Sequence, residues 1–457
     1  MKFMLITQAF AKFINNTNYD DLPKDVIESA KERILDTIGS MLAGYCGWDY
    51  KEQFLTACRQ IDSGDCSILC DEKKEFSIAR TAMIDSTFAH AIELDDGHKN
   101  AGVHAGAVVI PTALNIGKEL GSSGKDIIEA VVLGYEIVYR IASSMSPYQI
   151  QKGFHPSGNC DTFGAMAVAG KLLGLSEEQL ANGLGMAGLY AAGLMEATVS
   201  GQQSKCIQVG NAAFNGVAAA YMAKSGMEGT ITVFEGKTGF FNAQSEKVDL
   251  EKVVLNLGKI YTIGDTYTKL YPTCRHSQPA IEAVIDSMQE HGFKYEDVEK
   301  VLVNTHQVAY DLTGKIVHPK NSGEAKFSLA YGIALALTEQ SVGVAHLMEE
   351  YTENSINKEL STLVEVKVDP EVQALYPGRR GAIVTICLKD GQKIVRECYD
   401  LKGSPNNPVG FGEIKQKFVS NAKSMITKES IDKIIDILNN LEKEQKLDDV
   451  LTLLKPQ

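Results

Sequence analysis

Residues 22–44 read LPKDVIESAKERILDTIGSMLAG, and the fold class turns on how this stretch is read. Ile27, Ala30, Ile34 and Ile38 recur every three or four positions, the spacing of one face of an α-helix. Pro23 suits a first turn, where its missing N–H costs nothing, and Gly44 reads as a stop. Residues 124–145, GKDIIEAVVLGYEIVYRIASSM, repeat the pattern. Residues 175–197, LSEEQLANGLGMAGLYAAGLMEA, open with a Ser176-x-x-Gln179 capping box and are full of glycine and alanine. Helices faced with small residues approach closely, which places these in the middle of a large helical bundle. The text stays helical to about residue 265.

Beyond residue 270 the period shortens. VEKVLVNTHQ (298–307) and LVEVKVDPE (363–371) alternate valine with polar residues, as half-buried strands do. AIVTICLKDGQKIVREC (382–398) reads as a hairpin turning at Asp390-Gly391. Helical text, QPAIEAVIDSMQEHG and GEAKFSLAYGIALALTEQS, lies between, which predicts a three- or four-stranded sheet with two helices. From NPVGFGEIKQKF onward the pattern is helical again. The expectation is a mainly α protein: a helical domain over 1–267, a smaller α+β domain over 268–400, and C-terminal helices over 401–457 that return to the first domain.

The 457 residues carry a net charge of −13, which argues against a nucleic-acid binder, since phosphate contact needs a basic face. An acidic protein that holds an anion must gather its few cations in one pocket. Nine scattered cysteines show no zinc-ligand spacing and read as free thiols in a reducing compartment. The first residues lack a continuous apolar signal region, and no apolar run reaches the length of a membrane span. A cytoplasmic location is expected.

Four short stretches carry the chemistry: ELDDGHKNAGVH (93–104), GFHPSGNCDTFGA (153–165), GQQSKCIQVGNAA (201–213) and YPTCRHSQPAIEA (271–283). Each sets histidine or lysine beside glycine or proline and small polar residues at an expected helix end. Taken singly, His155 reads as a helix lead-in, with Ser157 and Asp161 as possible caps, and Lys205 as a surface lysine. Together they suit a small polycarboxylate held without metal. His276 with Arg275 precedes a helix starting near Ser277 or Pro279, where free N–H groups favour negative charge. Metal binding is the rival reading of the first stretch, because Glu93, Asp95, Asp96, His98 and His104 are all ligand types. No HExxH or EF-hand spacing occurs, and adjacent carboxylates with nearby histidine fit acid/base work better. No GxGxxG, Walker loop or GxSxG is present, so no nucleotide cofactor is expected.

With these stretches in hand, the chain resembles the MmgE/PrpD family. The resemblance runs nearly end to end, through KCIQVGNAAFNGVAAAYMAKSGMEG, EAKFSLAYGIALAL and KGSPNNPVGFGEIKQKF as well. It implies a helical domain with an α+β lid, usually as a homodimer, and cofactor-free, metal-free chemistry on small di- and tricarboxylates. Carried over by position, Asp95, Asp96, His104, His155, Lys205 and His276 are the catalytic candidates. Glu93, His98, Lys99, Arg275 and Gln278 are the candidates for holding substrate. Glu93 stands where some members have aspartate, Gly97 where the cis-aconitate decarboxylases have threonine, and Gln278 where they have a second histidine. These departures favour dehydration of the 2-methylcitrate dehydratase kind, with epimerisation next and cis-aconitate decarboxylation after it. A non-catalytic carboxylate-binding homologue is the reading from another class.

Overall fold

The computed structural model describes residues 4–98 and 100–456. The opening stretch forms one helix, Lys24–Gly47, with Ala30, Ile34 and Ile38 buried as their spacing predicts. Pro23 is its N-cap residue, just outside the first turn. Gly44 does not stop the helix. A Cβ there would lie 1.9 Å from the Phe88 carbonyl oxygen, so this glycine lets the helix press against Ile78–Ala91. A local stop signal was in fact a packing signal.

The helical mass is built from Ile78–Ala91, Gly106–Leu120, Gly124–Met145, Pro156–Leu172 and Lys205–Lys224. Small residues do bring central helices together, chiefly on Lys205–Lys224: a Cβ at Gly210 would meet Thr87 and Met83, and one at Gly216 would meet Thr162 and Ala165. The Ser176–Gln179 capping box forms, but its helix, Glu177–Tyr190, ends with Leu189 and Tyr190 exposed rather than central. One pairing contradicts the all-helical reading before residue 268: Gly97–His98 runs antiparallel to Thr266–Tyr267.

A four-stranded sheet has the order Val364–Val368, Val298–Thr305, Ala382–Leu388, Lys393–Cys398. Its first pair is parallel and the others antiparallel, with the hairpin turning through Gly391 at φ 90°. Helices Gln278–His291 and Leu329–Glu339 share its apolar core. Buried apolar side chains form one large cluster drawn from residues 6–263 and 409–454, and a second drawn from 280–394. Phe418, on the helix Phe411–Ala422, is fully buried against Gly39. No helix among the described residues is long and apolar enough to cross a membrane.

Candidate active site

The site is built on the turn that follows Ile78–Ala91. Glu93 has φ 55°, a left-handed conformation costing a non-glycine residue roughly 1–2 kcal/mol. Buried ammonium groups from distant segments hold that turn. Lys326 donates to the Ala91 carbonyl at 2.8 Å, Lys269 to the Glu93 carbonyl at 2.9 Å, and Lys417 to the Leu94 carbonyl at 2.7 Å. The Glu93 carboxylate is clasped by Lys205 through Oε1 and by Lys269 through Oε2 at 3.2 Å. Burial alone would raise its pKa, but the two lysines outweigh burial and hold it well below the usual range.

Asp95 follows, fully buried between two imidazoles. Its Oδ2 lies 2.7 Å from His90 Nδ1 and 3.3 Å from His104 Nδ1. Burial opposes its charge, yet the two ring N–H groups keep it ionised, well below the carboxylate range. The partners fix the tautomers. His90 Nε2 stands 2.9 Å from the Lys205 ammonium, which has only hydrogens to offer, so the His90 proton sits on Nδ1 and points at Asp95. Burial, with Lys205 adding to it, pushes His90 down to about 4, so the ring is neutral. His104 Nδ1 donates to the Asp96 carbonyl at 2.7 Å, and its backbone N–H donates to Ser157 Oγ at 2.9 Å. That leaves His104 Nε2 with a lone pair.

His155 caps the helix Pro156–Leu172, and its ring centroid is 6.3 Å from that of His90. Its Nδ1 is buried without a hydrogen-bond partner among the described residues, and burial, then Lys205, keeps it neutral. The expected caps take other parts: Ser157 serves His104, and Asp161 lies buried inside the helix with its carboxyl pushed far up by burial. The Asp96 carboxyl does not orient His104. It turns the other way, to the Gly106 N–H at 3.2 Å and the Tyr135 hydroxyl at 2.5 Å, and burial lifts it to about 6. His90, Asp95 and His104 offer three ligand-type atoms within 4.8 Å of one another. Tetrahedral ligands about 2.0–2.1 Å from zinc stand more than about 3 Å apart, so the 2.7 Å His90–Asp95 contact fits a hydrogen bond instead.

A cavity of about 310 Å³ opens beside this group, lined by His98, Tyr267, Arg275, His276 and Arg380 among others. His98 Nδ1 accepts from the Ala101 N–H at 3.0 Å, which puts its proton on Nε2. Burial, then the Arg380 charge, holds its pKa near 4 and the His276 pKa well below the ordinary value. Arg275 is braced by Ser404 at 2.7 Å and Gln278 at 3.0 Å and lies over the Tyr267 ring. Gln278 is fully buried, its amide donating to the Tyr271 and Thr273 carbonyls and its oxygen accepting from Arg275. Gly97 is imposed by Tyr267, whose hydroxyl would lie 2.4 Å from a Cβ there. Lys99 lies outside the described residues.

The sequence-predicted residues thus fall into two adjoining groups. Glu93, Asp95, His104, His155 and Lys205 gather around His90; His98, Arg275 and His276 line the cavity. Tyr267 is in electrostatic reach of both, with Lys269, Arg275, Arg380 and Asp95 around it. Sequence reasoning missed His90, Lys269, Lys326 and Arg380. A histidine five positions before Asp95 in apolar helical text, and lone lysines inside TKLYP and EAKFS, were available signals. Arg380, in a loop, offered none.

Two family models cover the chain: the MmgE/PrpD N-terminal domain matches residues 8–252 and the MmgE/PrpD C-terminal domain residues 271–443. Cis-aconitate decarboxylase of Aspergillus terreus is 27% identical over 98% of this chain and 96% of that protein. The Homo sapiens cis-aconitate decarboxylase is 25% identical over 100% and 95%. 2-Methylcitrate dehydratase of Salmonella typhi is 26% identical over 59% of this chain and 58% of its own length. With both halves matched by the paired family models, this chain belongs to the MmgE/PrpD family.

Proposed function

We propose that the protein is a cofactor-independent lyase that removes the proton α to a carboxylate of a small di- or tricarboxylate and expels the β-hydroxyl as water. The observation that carries this is the Asp95–His104 pair, in which Nδ1 is committed to backbone and carboxylate acceptors and Nε2 is left as a base. The C–H bond breaks with its proton passing to His104 Nε2, and the electron pair enters the carboxylate as an aci-carboxylate. Cationic Arg275 and Arg380 oppose that charge. The C–O bond then breaks, a C=C bond forms, and the hydroxide leaves as water with the proton returned by His104. Neutral His155 and His276 flank the path as hydrogen-bonding partners. We further propose that residues 268–400 act as a lid whose opening joins the cavity to the His104 group. Small-angle scattering curves that coincide with and without saturating ligand would argue against that closure.

Decarboxylation is a second reading, favoured by the whole-length likeness to cis-aconitate decarboxylases. Tyr267, packed onto Gly97, weighs against it, since it fills the place of the decarboxylases' threonine. Proton NMR in heavy water across citrate-like and malate-like acids tests the assignment. Loss of the α-proton signal with an olefinic product is expected, while release of carbon dioxide selects the second reading. Binding without exchange or turnover for every acid overturns lyase function. A homodimer is also proposed, supported by Leu189, Leu194 and Val199, which are 68%, 59% and 69% exposed within one short segment. Light scattering that returns a monomer mass would refute it.

A further inference from the structure

His306 is buried, does not line the cavity, and has no part in the chemistry above. It follows the strand Val298–Thr305 and caps the short helix Gln307–Thr313, its Nδ1 accepting from the Ala309 N–H at 3.3 Å. Asparagine, aspartate and serine are the favoured caps, so a histidine here brings a ring that capping does not need. That ring has two aromatic neighbours. It stacks on Tyr376, with centroids 4.4 Å apart and planes at 22°, and meets the His276 ring edgewise at 5.1 Å and 70°. Both neighbours serve the cavity wall. His276 lines the cavity, and Tyr376 opens the loop 376–381, whose Gly378 and Arg380 line it as well. The loop is also fastened by Arg379 to Asp400 at 2.8 Å and by the Gly381 carbonyl, which accepts from Thr305 Oγ1 at 3.2 Å. Burial, then the Arg380 charge, holds the His306 pKa near 4, so near neutral pH the ring is uncharged and keeps its acceptor for Ala309.

We propose that His306 is a positioning residue of the substrate cavity: its one ring holds both the His276 ring and the loop 376–381 in the places from which they meet a ligand. The functional part of this inference rests on the carboxylate-lyase reading above and adds to it a residue that never touches substrate. Capping and stacking separate by substitution. His306→Asn keeps an acceptor for the Ala309 N–H and loses the ring. His306→Phe keeps the ring and loses the acceptor. Tyr376→Leu removes the stack from its half-buried side, where a smaller side chain is tolerated.

The test joins hydrogen-exchange mass spectrometry of the full-length protein to calorimetric titration with citrate and with malate. His306→Asn and Tyr376→Leu should speed amide exchange across 376–381 by about threefold to tenfold, the worth of one aromatic pair, and weaken acid binding by about threefold or more. His306→Phe should keep loop exchange and affinity within about twofold of wild type while exchange across 307–313 rises. A mobile helix and weakened binding in His306→Phe beside a silent His306→Asn would make His306 a cap alone and overturn the proposal. So does a Tyr376→Leu whose loop exchange and affinity both stay within about twofold of wild type, whether or not the His306 variants fold. Faster loop exchange with unchanged affinity overturns it too, since the loop then has no part in binding. A wild type that binds neither acid overturns the carboxylate reading, and the exchange pattern alone then decides whether His306 sets the cavity wall.

Discussion

Exchanging Asp95 for asparagine replaces one oxygen by an NH₂ group in a fully buried position, and its consequences follow from two distances. The asparagine oxygen can still accept from His90 Nδ1 at 2.7 Å. The same oxygen faces His104 Nδ1 across 3.3 Å, so both ring N–H groups keep an acceptor while the NH₂ takes the place of the buried Oδ1. What is lost is the negative charge that raises the basicity of His104 and opposes the imidazolium formed when Nε2 takes the substrate proton. Loss of a general base is worth about 10²–10⁴ in turnover, or about 3–5 kcal/mol of barrier at 1.36 kcal/mol per decade. Binding should change little, because Asp95 does not line the cavity. Exchanging a charged acceptor for a neutral one at His90 should cost about 1–2 kcal/mol of stability. That cost has a pH signature. The native-state pKa of Asp95 is depressed, so its contribution is present above the unfolded value of about 3.9 and fades as pH falls below it. The wild type and Asp95→Asn should therefore converge in stability in acid. Steady-state kinetics on the acid identified in heavy water, with urea unfolding at several pH values, provide both readouts. A folded Asp95→Asn that keeps more than about a tenth of wild-type turnover would refute the base assignment.

His104→Gln keeps a donor for the Asp96 carbonyl but has no titrating acceptor, so turnover should fall by about 10²–10⁴ with binding retained. Combined with Asp95→Asn it should lose little more, because residues acting as one unit are not additive; a multiplicative loss would mean independent roles. Asp85 is a separate, structural case. Burial lifts its carboxyl to about 7 despite hydrogen bonds from Asn115 and the Leu69 N–H, and its Oδ1 has no hydrogen-bond partner among the described residues. A raised native pKa means its favourable contribution is complete below the unfolded value and lost as pH rises to about 7, a decline of about 4 kcal/mol. Asp85→Asn should flatten that decline in urea-unfolding curves from pH 4 to 8, and an unchanged slope would contradict it. Activity should survive exhaustive chelation, since His90, Asp95 and His104 are engaged in hydrogen bonds; loss that a divalent ion restores would revive the metal reading.

The sequence by itself determined what depends on neighbours along the chain. Apolar residues every three or four positions produced the helices, and alternating valines with Asp390-Gly391 produced the strands and hairpin, because side-chain direction is fixed by local backbone geometry. It also marked most site residues as types: the cluster from Glu93 to His104, His155, Lys205, and Arg275 with His276. Their partners were not legible. Asp95 and Asp96 are adjacent and alike on paper, yet one turns between two imidazoles and the other toward Tyr135 and Gly106. Lys205 reads in the sequence as a catalytic candidate without a partner, and the fold pairs it with Glu93; Gly44 and Gly97 are explained only by Phe88 and Tyr267. The three carbonyls of the Glu93 turn are held by Lys269, Lys326 and Lys417, at the nearest 176 positions away along the chain. The tertiary structure alone decided these pairings, because buried charges and close backbone contacts are settled by what packing brings together and water leaves, which no local period records.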